Sequence, residues 1–73
     1  MLEEYVCTNE FTAEVHDYIM GRNCVLLRTV HEGEKFYLMW MDAFSSTVHL
    51  LGNGHNLILP EHAFKEHFWR NKL

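Results

Sequence analysis

The chain has 73 residues, 48% of them hydrophobic and 14% aromatic, with a formal net charge of −4 at neutral pH. That apolar content excludes a disordered chain, and the length leads us to expect one small domain spanning residues 1–73. The acids gather early: residues 1–42 carry eight acids against three bases, and residues 43–73 carry two against three, so no basic footprint for duplex nucleic acid is visible.

The N-terminus, Met1-Leu2-Glu3-Glu4-Tyr5, lacks the basic and apolar regions of a secretory signal. The longest apolar run, residues 36–41, is far too short to cross a bilayer. We therefore expect no membrane association, a cytoplasmic location, and two free thiols at Cys7 and Cys24.

Residues 3–8 read as a short strand with Tyr5 and Cys7 on one side. Residues 11–20 read two ways. As a helix, Phe11, Val15, Tyr18 and Ile19 form one stripe, capped by Thr8 or Asn9 and ended by Gly21. As a strand, Phe11, Ala13 and Val15 alternate with Thr12, Glu14 and His16. The helix accounts for more of the residues and is preferred.

Residues 24–30 and 36–41 then read as a β-hairpin closed by the polar segment 31–34. Residues 42–46 are a loop. Residues 47–51 and 56–59 are two further strands, joined by Gly52-Asn53-Gly54-His55, the strongest turn signal in the chain. Pro60 opens a C-terminal helix through Trp69, with Phe64 and Phe68 on one face and Arg70 and Lys72 near its negative end. The expected fold is thus α+β: a small antiparallel sheet of about four strands, a C-terminal helix and an N-terminal helix.

The segment 36–41 is the feature that points to function. As a strand it sets Phe36, Leu38 and Trp40 on one face and Tyr37, Met39 and Met41 on the other, so both faces are apolar. One reading is a central strand covered on both sides. The other is that two short helices cannot cover both faces, which leaves Tyr37, Met39 and Met41 for a partner. These three, with the acids Glu10, Glu14 and Asp17, are the candidate partner-binding residues. In a chain this short a single core rarely supplies more than about 3–5 kcal/mol, which also favours self-association as a homodimer.

Catalytic and metal chemistry find no support in the spacing. His62 and His67 are five apart, about 140° round a helix, and no third ligand accompanies the His62–Glu66 pair. Ser45 and Ser46 lack a nucleophile motif, and Gly52-Asn53-Gly54 lacks the residues of a phosphate loop. No enzyme activity, metal or cofactor is expected. The leading expectation is a protein-binding module, a small acidic inhibitor or adaptor of the kind that phages and other mobile elements encode. One alternative is a β-fold that binds single-stranded nucleic acid, stacking bases on Phe36, Tyr37 or Trp40 beside Arg22, Arg28 and Lys35. Another is a nucleic-acid mimic, with Glu3, Glu4, Glu10, Glu14 and Asp17 standing in for phosphates.

Overall fold

Alternation, rather than helical spacing, organises nearly the whole chain. The computed structural model describes residues 2–71. Its elements are β1 (Glu3–Cys7), β2 (Phe11–Ile19), β3 (Arg22–Val30), β4 (Lys35–Asp42), β5 (Thr47–Gly52), β6 (His55–Pro60), α1 (Glu61–His67) and β7 (Phe68–Arg70). The seven strands form one sheet in the order β3-β2-β6-β5-β4-β1-β7, with every pairing antiparallel. The α+β expectation of about four strands and an N-terminal helix is therefore incorrect. One short C-terminal helix is the only helix among the described residues.

The error at residues 11–20 has a clear cause. Ala13 and Val15 are buried and Phe11 packs against the same core, whereas Thr12 and Glu14 between them are exposed. A helix stripe through Phe11 and Val15 would have left Ala13 off the apolar face. The strand instead pairs residue for residue with β3, from Phe11↔Val30 to Ile19↔Arg22. Those cross-strand pairs outweigh a weak local periodicity.

The expected hairpin between residues 24–30 and 36–41 also does not form. β3 pairs with β2, while β4 lies between β5 and β1. The end of β1 occupies the corner between them: the Cys7 amide donates to the Glu34 carbonyl, and the Gly33 amide donates to the Cys7 carbonyl, both at 2.8 Å.

At the C-terminus the expected helix is present but stops at His67. Phe68 is extended (φ −128°, ψ 142°), although its amide still donates back to the Phe64 carbonyl. Trp69 and Arg70 continue into β7 along β1, and Lys72 lies outside the described residues.

The core is one-sided. Its buried members are Cys7, Ala13, Val15, Val30, Phe36, Val48, Leu50, Leu57, Leu59, Phe64 and Phe68, and no polar side chain is buried with them among the described residues. The sheet curls, bringing the start of β2 against the end of α1 and the start of β7. Phe11 of β2 stacks on His67 at 4.1 Å and meets the edge of Phe68 at 5.7 Å, although β2 and β7 stand far apart in the sheet order. Phe68 also lies edge-on to Phe36 at 5.7 Å, and α1 adds Phe64, whose ring meets Tyr5 at 4.8 Å. Such aromatic pairs contribute about 0.5–1.5 kcal/mol each beyond their buried area.

Two tight turns hold the hairpins. Asn53-Gly54 (φ 52° and 75°) joins β5 to β6, and Met20-Gly21 (φ 50° and 77°) joins β2 to β3. Positive φ at both central positions suits the right-handed twist of a hairpin and favours Asn-Gly. Methionine bears a steric cost there that asparagine largely avoids.

Met20→Asn should therefore raise stability by up to about 1 kcal/mol, read as a shift in denaturant midpoint at constant slope. Gly52 gives the opposite expectation. A Cβ at this position would lie 2.6 Å from both the Lys35 carbonyl oxygen and the Phe36 ring. Gly52→Ala should destabilise by about 1–3 kcal/mol, the usual range for overpacking against backbone and a fixed ring. An unchanged midpoint would show that β4 and β5 can separate there freely.

Candidate functional site

A curled sheet that buries its inner face leaves its outer face to solvent, and along β4 that face is apolar. Tyr37 pairs with Leu51, and Trp40 pairs with His49. Leu50 and Val48 between them point inward and are buried, so Tyr37, Trp40, Leu51 and His49 share the outside. The Trp40 indole stacks on the His49 ring at 4.2 Å and 25°. Trp40 remains 56% exposed, and Tyr37, Met39 and Leu51 around it are also exposed.

A β-bulge creates this arrangement. The register of β4 against β5 shifts between Leu38 and Trp40, so Met39 is an extra residue. Strict alternation would send Trp40 inward with Phe36 and Leu38. The bulge reverses the phase, so Trp40 turns out and Met41 pairs with buried Val48 on the inner side. Of the apolar trio expected to face a partner, Tyr37 lies on the outer face and Met39 occupies the bulge. Met41 lies on the opposite side at the strand's end, still 49% exposed. Sequence alternation alone misses Trp40, because nothing in residues 36–41 marks the bulge.

The acids do not assemble. Glu10 lies between β1 and β2 and contacts His31 Nδ1 at 2.8 Å. Glu14 is on the outer face of β2, beside His16 at 3.7 Å. Asp17 is on the inner side, 3.5 Å from His55 Nδ1. Without a helix at residues 11–20 they share no face, which removes the geometric premise of a phosphate-like row. The bases are dispersed too: Arg28 Nη2 lies 3.5 Å from Glu34 on the inner side, away from Trp40.

The histidines that have partners are dispersed. Beyond those above, His67 Nδ1 lies 2.6 Å from Asn9 Oδ1. No group of three or more His, Cys, Asp or Glu side chains comes together among the described residues. Cys7 and Cys24 are free; burial pushes the Cys7 thiol above its ordinary value, which keeps it protonated. An open depression of about 460 Å³ is lined by Ser45, Ser46, Pro60, Glu61, His62 and Lys65. The Ser45 hydroxyl is engaged with that of Thr47 at 2.7 Å, and no histidine hydrogen-bonds either serine among the described residues.

Compared with known proteins, the chain matches no family model, no curated protein and no solved structure. No helix among the described residues is long and apolar enough to cross a membrane.

The loop beyond β4 is held by one carboxylate. Asp42 Oδ1 accepts from the Phe44 amide at 3.0 Å and the Ser45 amide at 3.4 Å, and Phe44 itself is fully exposed at the tip. The Ser45 side chain, then these amides, hold Asp42 below the ordinary carboxylate range. A pKa lower in the folded state contributes stability above the unfolded value and loses it as pH falls through the folded one. Asp42→Ala should therefore melt earlier than wild type at pH 7, and the gap should close as pH drops through the carboxylate range. A gap independent of pH would show that the charge is not what holds the loop.

Proposed function

We propose that this protein is a non-catalytic binding module, an inhibitor or adaptor that docks a larger protein on the outer face of β4 and β5. The observation that carries this reading is the exposed Trp40, fixed against His49 and flanked by Tyr37, Met39 and Leu51. Tryptophan and tyrosine in a supported patch supply large contact area at little entropic cost, and such residues dominate measured binding energies. Met39 at the bulge adds an adaptable contact.

The surround specifies the partner's chemistry. Acids outnumber bases there: Glu4 pairs with Tyr37 on the same face, Glu14 is exposed on β2, and Asp42 ends β4, against Lys35 on the same face of β4. An apolar centre with an acidic rim suits a partner surface that is apolar in the middle and basic around it. The two free thiols suit a reducing, cytoplasmic setting for this encounter.

Trp40→Ala tests the reading. The side chain lies outside the core, so the variant should keep the wild-type circular dichroism and melting temperature. Immobilised wild type should retain a partner from lysate of the source cells, and the variant should bind that purified partner about 30-fold more weakly, equivalent to about 2 kcal/mol. Equal affinity of both for every retained protein would remove the outer face from consideration.

A further inference from the structure

The sheet has two edges, and only one is protected. β7 is three residues long, too short to template another strand. β3 is nine residues long and pairs with β2 one to one without a bulge. Among the described residues, Arg22–Val30 make no backbone hydrogen bond to any element but β2. Natural sheets blunt such an edge with proline, charged side chains, inward-pointing charges, a bulge or a covering element. β3 has Arg22 at its start and Arg28 turned inward to Glu34, but none of these at its centre. It carries Val25, Leu26 and Leu27 there instead, half to three-quarters exposed.

We infer that the protein is a homodimer in which β3 pairs antiparallel with β3 of a second copy, joining the two sheets edge to edge. The sequence of β3 is self-complementary in one register. A two-fold axis at Leu26 sets Leu26 against Leu26 of the second copy, Val25 against Leu27, and Cys24 against Arg28. The central pairs are then all apolar, and such pairs are the unit of sheet stabilisation. A slip of two residues in one direction opposes Arg22 with Arg28. The other direction opposes Leu26 with Arg28.

Charge permits the same register. Arg28 is held by Glu34 of its own chain, Nη2 lying 3.5 Å from the carboxylate, so the small Cys24 of the second copy, opposite it in this register, brings no like charge against it. The second copy, rather than an unrelated strand, is the occupant because this complementarity is reciprocal: each copy offers the same row and receives it. The edge is separate from the outer-face patch proposed above. A two-fold axis normal to the sheet also keeps both Trp40 patches on one side, available to a divalent partner.

The test is light scattering on the full chain at about 100 μM, with three variants. Wild type should have twice the chain mass. Leu26→Lys places two ammonium groups across the axis and should give a monomer with unchanged circular dichroism. In a Cys24→Ser background, Leu26→Cys should form a disulfide dimer on mild oxidation. Directly opposed residues have Cα atoms about 4.5–5.5 Å apart, within the span of a disulfide. Leu27→Cys in that background should not cross-link, because its two copies lie two positions apart, about 8 Å. A monomeric wild type, a dimer that survives Leu26→Lys, or equal cross-linking at both positions would overturn the proposal. So would a dimer dissolved by Trp40→Ala, which would move self-association to the outer face.

Discussion

The fold depends on the ring of Phe68. It meets Phe11 of β2, Phe36 of β4 and Phe64 of α1 within 6 Å. Those neighbours come from both halves of the sheet order and from the helix, so one side chain holds the curl closed. This also explains why α1 ends where it does. Another helical residue at position 68 would carry the ring along the helix axis, away from Phe11 and Phe36. Extended backbone lets the ring enter the curl and frees Trp69 and Arg70 to pair with β1. The helix end, the last strand and the closure of the sheet are consequences of one burial.

The curl determines what remains uncovered. A flat sheet needs helices to cover a face; a curled one covers its inner face with itself and needs only a plug at the open end. The expectation rests on two helices too short to cover both sides of residues 36–41, and the curl replaces that premise. The uncovered surface arises because curling protects one face only. Its membership depends on the bulge at Met39, which exchanges Trp40 and Met41 between the two sides. Period-two reasoning is valid up to Leu38 and inverted beyond it, and no residue type in the segment announces the change.

Strand positions were legible wherever β-branched and aromatic residues lay between turn formers, as at β4, β5 and β6. Partners were not. Residues 31–34 look like a hairpin loop because they are short, polar and contain Gly33, yet they cross a corner that the end of β1 fills. Sequence proximity is a strong guide to pairing only when no distant strand competes for the same edge. Gly21 shows a finer ambiguity. A glycine after an apolar run reports positive φ, and both a helix end and a hairpin turn demand it. The backbone requirement was readable, but the element it served was not. The spacing of Phe11, Val15, Tyr18 and Ile19 then tilted the choice towards helix, against the alternation of Ala13 and Val15 that burial obeys.

Edges follow from the same economy. A sheet that closed fully into a barrel would have none, but closure here rests on side chains, with β7 and β3 each paired on one side only. Shortening one edge to three residues protects it at little cost in core, because Phe68 is already anchored. β3 cannot be shortened in the same way. Its last residue, Val30, is wholly buried opposite Phe11, and the strand must reach that far to complete the core beside Phe68. The hairpin that delivers Val30 then continues outward to Met20-Gly21, carrying Val25, Leu26 and Leu27 past the point where the core can use them. Apolar residues beyond the reach of a core contribute to stability only when something covers them. The proposed two-fold pairing of β3 with a second copy would cover them without additional sequence.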